Sequence, residues 1–124
     1  MRQGSFLGGV KVKESDIQKA ILELLRLRGV FCWRQNVGSF KVGDRFVSMG
    51  YRGISDIVGI LGGRFLALEV KREKGLLSDA QIVFLRKVRE AGGIAMVAES
   101  VSDVVRLLDD PNAKSAERYE KLLG

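Results

Sequence analysis

Two acidic residues and a lysine lie in the two arms of an apolar segment that runs from Gly53 to Lys71. Asp56 lies near the start of the first arm, and Glu69 and Lys71 lie at the end of the second. The arms are joined by two glycines, residues 62 and 63, which is a strong signal for a β-hairpin turn. If residues 61 and 64 flank the turn, the numbers of cross-strand partners sum to 125, so Asp56 lies opposite Glu69. Lys71 shares the face of Glu69 because side chains alternate along a strand, and the pattern therefore brings two carboxylates and an amine together.

Two carboxylates beside a lysine suit metal-dependent phosphodiester hydrolysis. Mg²⁺ is held in proteins by one or two carboxylates together with water, and it lowers the pKa of a bound water. Asp56 and Glu69 are the predicted ligands, with the backbone carbonyl of Val70 as a third, and we expect Mn²⁺ to substitute. Lys71 can orient or help to deprotonate the attacking water and stabilise charge on the phosphate.

The alternative is that these three residues belong to the solvated face of a two-stranded ribbon, with Lys71 neutralising the acids. Like charges directly opposite each other destabilise such a ribbon. The neighbouring residues Ile57, Val58, Leu66 and Leu68 instead indicate a buried strand pair, in which charged residues are rare unless they are paired. The pattern therefore favours a metal site.

Composition excludes several other hydrolytic mechanisms. The chain has no histidine, which excludes Ser-His-Asp and Cys-His nucleophile systems and His-ligated zinc. Its one cysteine, Cys32, lies in an apolar run and is predicted to be a buried core thiol. The net charge is +6, and the stretch from Arg26 to Arg52 has six basic residues against one acidic residue. This surplus suits a polyanion such as DNA, although charge alone does not distinguish a DNA-binding protein from an ordinary basic one.

Hydrophobic periodicity and turn signals predict an α/β fold with the order α-β-(hairpin)-β-β-α-β-α. The expected architecture is a central mixed sheet flanked by helices on both faces, with an inserted β-hairpin and a C-terminal helix. The predicted elements of the first half are a helix over residues 14–29, a strand over 30–35, a protruding hairpin over 36–50 and the hairpin of 53–71. The second half is predicted to form a helix from Ser78 to Gly92 and a strand over Ile94–Ala98. A helix capped by Ser100 that ends before Pro111 and a helical tail over 113–122 follow.

We expect residues 1–124 to form one domain, with a core over about residues 14–110 and a polar helical tail over 111–124. No apolar run approaches the length of a membrane span, and the first residues lack the apolar region of a signal peptide. An intracellular, cytoplasmic protein that is neither secreted nor bound to a membrane is therefore expected.

The ordered motifs resemble those of a known nuclease family. Gly53-Ile54-Ser55-Asp56, a hairpin, Glu69-Val70-Lys71 and a helix that begins at Ser78 to Gln81 resemble the VRR-NUC branch of the PD-(D/E)xK superfamily. The resemblance extends over about residues 14–98. Ser55 stands where the superfamily name has proline, which is common in this branch. The resemblance implies a restriction-endonuclease-like αβββαβ core and metal-dependent cleavage of DNA.

The resemblance also implies roles for individual residues. Asp56 and Glu69 would be metal ligands and Lys71 catalytic. An acidic residue on the first helix of the family maps to Glu14, which would be a further metal ligand, and a glutamine after the E-x-K motif maps to Gln81. Both have simpler alternatives: that Glu14 only stabilises the helix N-terminus, beside a capping box of residues 15 and 18, and that Gln81 is only a cap.

Several basic and aromatic residues are candidates for DNA contacts. Arg34, Lys41, Arg45 and Arg52 would line the DNA-facing side, and Arg72 and Lys74 follow the E-x-K motif, although a solvated charge run is an equal alternative. Trp33 and Phe40 are candidates for stacking on unpaired bases, but packing into the strand core is favoured for Trp33.

Compact members of the resembling family look like dimeric resolvases of four-way (Holliday) junctions, whereas members embedded in larger repair proteins act on flaps. The expectation is therefore a Mg²⁺-dependent endodeoxyribonuclease that acts on branched DNA in repair, recombination or phage replication, in a bacterial or phage setting. A homodimer is expected, with its contact at the hairpin of residues 37–50 or the strand near Ile94. The alternatives are a flap, single-strand or restriction-like nuclease, and a basic DNA-binding module without catalytic activity.

Overall fold

The computed structural model describes residues 6–7, 10–35, 39–48 and 50–124. Within these residues the fold is mixed α/β, with four helices, a four-stranded mixed sheet and two small antiparallel hairpins. The elements are β1 (Phe6–Leu7), β2 (Val10–Lys11), α1 (Glu14–Leu27), β3 (Phe31–Arg34), β4 (Ser39–Val42), β5 (Arg45–Ser48), β6 (Ile57–Leu61), β7 (Arg64–Val70), α2 (Asp79–Glu90), β8 (Ile94–Ala98), α3 (Val101–Asp109) and α4 (Glu117–Leu123).

The central sheet has the strand order β3-β6-β7-β8. The first three strands are antiparallel to their neighbours, and β8 is parallel to β7 because α2 carries the chain back across the sheet. The β6-β7 ladder runs from Ile57 paired with Leu68 to Leu61 paired with Arg64, which confirms the predicted register around the two glycines. The second predicted hairpin is also confirmed, since β4 and β5 pair around Gly43 and Asp44.

Helices cover both faces of the sheet, as predicted. On one face, α1 and α3 pack through Ile21, Leu25 and Leu107 against β7 and its neighbours. On the other face, α2 and α4 pack against Ala67 of β7 and Val97 of β8. The alternating residues of β7 and β8 thus enter two separate hydrophobic clusters, as the pleat of a strand requires.

The C-terminal segment is packed against the core, whereas a polar tail was predicted. Tyr119 and Leu123 of α4 are buried in the cluster shared with α2, so this helix belongs to the packed structure and the core does not end near residue 110. A helix of seven residues gives too few turns for a clear apolar stripe, which explains why the pattern did not show it.

Local details differ from the predictions at two helix ends and at the beginning of the described chain. Lys13 is the N-cap of α1 and makes no side-chain cap bond, so the alternative of a capping box at residues 15 and 18 is wrong. The capping box at Ser78 and Gln81 is confirmed by both of its hydrogen bonds. Ser100 is the N-cap of α3, but its hydroxyl lies 2.8 Å from that of Ser102 and does not cap the helix. The two-residue strands β1 and β2 were not predicted because such strands are too short to show a periodicity.

Across the described part of the chain, every helix is too short or too polar to cross a membrane.

Candidate active site

Asp56 is fixed at the junction of three strands. It lies in a bend directly before β6, where its Oδ2 accepts a hydrogen bond of 2.8 Å from the backbone N–H of Val70 at the end of β7. Its own carbonyl accepts a hydrogen bond of 2.8 Å from the backbone N–H of Gln35, which follows β3. The carboxylate is half-buried, and its position is set from both neighbouring strands.

The loop that leads to Asp56 is packed against α2. Gly53 has a φ of +79°, which favours glycine, and a Cβ at this position would lie 2.2 Å from the carbonyl oxygen of Ala80. No side chain fits into that space. The loop and the first turn of α2 are therefore in direct backbone contact, and this contact fixes Asp56 relative to Gln81, the next residue of the helix.

Glu69 is the most enclosed acidic residue of the site, with only 2% of its surface exposed. Its Oε2 accepts a hydrogen bond of 2.9 Å from the side-chain amide of Gln81 and lies 3.7 Å from the Lys71 ammonium. Its Oε1 is buried and has no hydrogen-bond partner among the described residues. Buried carboxylate oxygens are normally satisfied, so this oxygen is available to a ligand that brings positive charge.

The environment of Glu69 opposes its ionisation. Burial raises its pKa to about 9, and the negative charge of Asp56 acts in the same direction. Lys71 lowers the pKa and Glu14 raises it, but these are smaller contributions. The Lys71 contact is long and only partly compensates the burial of the carboxylate. Without a further cation, Glu69 holds a proton at neutral pH, and a bound cation would take the place of that proton.

Lys71 directly follows β7 and is held by the turn after it. Its backbone N–H donates to the carbonyl of Ala98 over 3.0 Å. Gly75 lies close to the aliphatic part of the lysine, because a Cβ at residue 75 would be only 3.0 Å from the Lys71 Cβ. The Tyr119 hydroxyl donates to the Gly75 carbonyl over 2.6 Å. The buried side of the lysine is thus packed against a turn that α4 holds in place.

Gln81 both caps α2 and contacts the acid pair. Its side-chain oxygen accepts from the backbone N–H of Ser78 over 2.9 Å, while its side-chain N–H₂ donates to Glu69. The two alternatives from the sequence are therefore not exclusive. One amide group has both functions, and the capping bond orients the donor toward Glu69.

Glu14 lies on the same side of the site, although it belongs to α1. Its Oε2 accepts from the backbone N–H of Arg72 at 3.4 Å, a long contact, and its charge contributes to the raised pKa of Glu69. The structure thus brings Glu14 near the acid pair, whereas its role as a ligand stays a prediction. The same holds for the Val70 carbonyl, whose residue ends β7 with its side chain buried and its N–H occupied by Asp56.

The candidate DNA-binding residues are not all brought together. Arg52 lines a groove of about 510 Å³ together with Gln35, Asp56 and Gln81, next to the acid pair. The side chain of Arg34 points to the opposite face of the sheet, since it lies two residues after Cys32, which packs in the α1 cluster. The other four candidates are Lys41 and Arg45, exposed on the β4-β5 hairpin without a described contact to the site, and Arg72 and Lys74, in the turn after Lys71.

The two aromatic candidates have different outcomes. Trp33 is 39% exposed, so the prediction that it packs into the strand core is wrong, and its indole N–H donates to the side-chain oxygen of Gln35 over 3.0 Å. The side chain of Phe40 lies outside the described structure. Cys32 is buried as predicted, and burial raises the pKa of its thiol against the opposing charge of Arg26.

Three residues that support the site were missed by the sequence analysis. Glu99 forms an ion pair with Arg118 and accepts a hydrogen bond of 2.8 Å from the backbone N–H of Lys74, and Tyr119 holds Gly75. Glu99 directly follows the wholly apolar strand β8. An acid at the end of a buried strand is the same signal that drew attention to Glu69, and it would have identified Glu99 as well.

Within the described ranges, no three side chains of His, Cys, Asp or Glu are grouped closely enough to hold a metal ion by themselves. Asp56 and Glu69 form a pair, which matches the one or two carboxylates that Mg²⁺ takes while it keeps several waters. No protein-family model matches this chain, and no curated protein has detectable sequence similarity to it.

Proposed function

We propose that this protein is a Mg²⁺-dependent endonuclease that hydrolyses DNA phosphodiester bonds at a site built from Asp56, Glu69 and Lys71. The observation that carries the proposal is the state of Glu69. Its carboxylate is buried next to a second acid, its pKa is raised to about 9, and one of its oxygens has no partner among the described residues. A purely structural acid at this depth would be expected to have its oxygens satisfied by protein donors.

The geometry supports a separate proposed role for each residue of the site. Asp56 and Glu69 would hold the ion, with the Val70 carbonyl and Glu14 as further proposed ligands. When bound, Mg²⁺ polarises the phosphate and lowers the pKa of a water, and Mn²⁺ is expected to replace it. Lys71 orients the attacking water and stabilises negative charge on the phosphate. Gln81 keeps the Glu69 carboxylate in place through its hydrogen bond of 2.9 Å.

The charge of the chain supports DNA as the substrate. The net charge is +6, and the groove beside Asp56 is lined by Arg52. Each cation that neutralises a phosphate releases condensed counterions, so binding is expected to weaken steeply as salt rises. Arg34, Lys41, Arg45, Arg72 and Lys74 are further proposed phosphate contacts.

The resemblance to the VRR-NUC branch supports the finer parts of the proposal. These are a restriction-endonuclease-like αβββαβ core, a preference for branched DNA such as four-way junctions, a homodimer, and an intracellular role in DNA repair, recombination or phage replication. The edge position of β8 in the sheet and the exposed β4-β5 hairpin are the proposed contacts of the dimer. A flap, single-strand or restriction-like nuclease is the alternative substrate class.

The test is cleavage of four-way junctions, flaps and linear duplexes with Mg²⁺, with Mn²⁺ and with a chelator. We expect cleavage only with metal, and its loss in Asp56→Asn and Lys71→Ala variants that still bind DNA. Asp109→Asn removes an exposed acid at the end of α3 and is the matched control. DNA binding without cleavage of any substrate in either metal would instead identify a basic binding module.

A further inference from the structure

The edge strand β3 carries a pair of exposed aromatic side chains. Phe31 is 70% exposed and Trp33 is 39% exposed, and their ring centroids are 5.3 Å apart. Large aromatic side chains are usually buried, and a contiguous exposed apolar patch commonly marks an interaction site. The pair therefore needs a functional explanation.

The aromatic pair lies on the same face of the sheet as the acid pair. Side chains alternate along β3, so Phe31 and Trp33 share one face, and the next residue on that face is Gln35. Trp33 is paired with Val58, and the backbone of Gln35 is bonded to that of Asp56. Trp33 thus lies two residues, or about 7 Å along the strand, from Gln35, the residue that is hydrogen-bonded to Asp56.

The described helices leave part of this face of the sheet uncovered. Helices α2 and α4 pack on β7 and β8, through Ala67, Ala95 and Val97. Val58, the partner of Trp33, is buried, but the exposed patch continues from Phe31 across the sheet through its partner Ile60 to Phe65, the partner of Ile60 on β7. The exposed patch thus begins at Trp33 and extends away from the acid pair.

The charges around the patch indicate what binds there. Arg52 lies in the groove beside Asp56 and forms no ion pair with a described residue. Aromatic faces next to unpaired cations are the combination that binds single-stranded nucleic acid, since bases stack on the rings and phosphates pair with the cations. A second copy of the chain also has a net charge of +6, so charge favours a polyanion over a second copy on this patch.

We propose that Phe31 and Trp33 stack on unpaired bases of the DNA strand, next to the phosphate that is cut at Asp56 and Glu69. The preferred substrates would then contain a single-stranded segment beside the cleaved bond, whether at a flap, a gap or an open branch point. This inference rests on the proposed nuclease function for the position of the cut. The stacking itself is measurable without cleavage.

The chain offers a direct probe of this contact, because Trp33 is its only tryptophan. The Asp56→Asn variant would be titrated with an oligothymidylate of about 15 nucleotides and with a blunt duplex of the same length, while tryptophan fluorescence is recorded. We expect the single strand to quench the fluorescence and the duplex to leave it nearly unchanged.

Substitution of the neighbouring ring tests the same surface. Phe31→Ala is expected to weaken binding of the oligothymidylate by about 5- to 100-fold, the usual effect of losing one stacked base. Leu27→Ala removes a similarly exposed apolar side chain at the end of α1 and should bind as tightly as the parent protein. Phe31 is so exposed that folding should survive its replacement, and far-ultraviolet circular dichroism checks this point.

The outcomes separate this inference from the proposed function. Quenching by the single strand that Phe31→Ala weakens supports base stacking, even if the wild-type protein cleaves no substrate. Metal-dependent cleavage without quenching, and with unchanged binding by Phe31→Ala, would overturn the stacking and leave the nuclease intact. A dimer in sedimentation that Trp33→Leu dissociates, again without quenching, would overturn it in favour of a second copy of the chain.

Discussion

Two buried glutamates at the ends of adjacent strands have opposite environments. Glu69 lies near the end of β7 and Glu99 directly after β8, and each side chain is 2% exposed. Glu99 is paired with Arg118, accepts the backbone N–H of Lys74 and lies 3.2 Å from the Tyr119 hydroxyl. Glu69 has one amide donor and a distant ammonium, and its Oε1 has no partner within the described structure.

The difference separates a carboxylate whose partners lie within the protein from one that is the proposed ligand of a metal ion. Burying a carboxylate is unfavourable unless cations and hydrogen-bond donors surround it. Glu99 has such partners within the protein, and through them it fixes the turn that follows Lys71. Glu69 lacks them, which is the arrangement expected when a metal ion completes the site.

The largest expected effect distinguishes the two glutamates by activity. Glu69→Gln should reduce metal-dependent DNA cleavage by about 1,000-fold or more, because it removes a metal ligand and its charge. Glu99→Gln keeps a similar shape and should retain most of the activity. The measurement is the single-turnover cleavage rate of both variants with saturating Mg²⁺. Equal losses in the two variants would mean that the comparison does not identify the reactive acid.

The next effect is the pH dependence of stability without metal. The pKa of Glu69 is raised from 4.5 to about 9 in the folded protein, so the proton that it holds stabilises the fold fully below pH 4.5. That contribution should be lost as pH rises from about 4.5 to about 9. Urea unfolding in chelator at several pH values is the measurement, and the loss should be absent in Glu69→Gln.

Metal binding provides the complement of that experiment. Because the ion takes the place of the proton, Mg²⁺ affinity should rise with pH below about 9, and binding should release a proton near neutral pH. Calorimetry in buffers of different ionisation enthalpy detects the proton. Magnesium binding that is independent of pH would argue against Glu69 as a ligand.

A smaller effect is expected on stability at Glu99. Glu99→Ala should lower the free energy of unfolding by about 2 kcal/mol, since the N–H of Lys74 loses its acceptor in a buried region, while the half-exposed Arg118 contributes less. Glu69→Ala without metal should cost less, because the cost of burying a carboxyl group with an oxygen that lacks a partner among the described residues is removed with it. Urea unfolding at pH 8 compares the two variants directly.

The smallest effect concerns the support of Lys71. Tyr119→Phe removes the hydroxyl that donates to the Gly75 carbonyl, and a loss of about 1 kcal/mol in positioning corresponds to a cleavage rate about 5-fold lower. Magnesium affinity should not change. Tyr51→Phe is the matched control, since its hydroxyl contacts only the exposed Lys87 ammonium among the described residues. A decrease in metal affinity with Tyr119→Phe would show a general loosening of the site.

The parts of the site that depend on local signals were predictable from the sequence. Two glycines in a turn set the register of β6 and β7, and with it the proximity of Asp56 and Glu69. The motif from Ser78 to Gln81 is a local cap, so its hydrogen bonds follow from sequence spacing alone. Both features involve residues that are close along the chain or related by a single turn.

The parts that depend on long-range packing were not predictable. Whether Trp33 is buried depends on which strands the helices cover, and an apolar strand sequence does not contain that information. The contact between Tyr119 and Gly75 joins residues 44 positions apart. A short helix near the end of the chain gives no periodic signal of its role. Glu99, the acid after β8, was a signal in the sequence that was not used.

The backbone contact between Gly53 and Ala80 has a consequence for how the protein could adapt to differently shaped DNA. With no room for even one methyl group between them, the segment before Asp56 and the first turn of α2 cannot slide past each other without breaking their packing. Asp56 and Gln81 must therefore move together as one rigid body. Any opening or closing around a substrate has to take place outside this unit, and the position of Asp56 relative to Gln81 would stay constant from one substrate to the next.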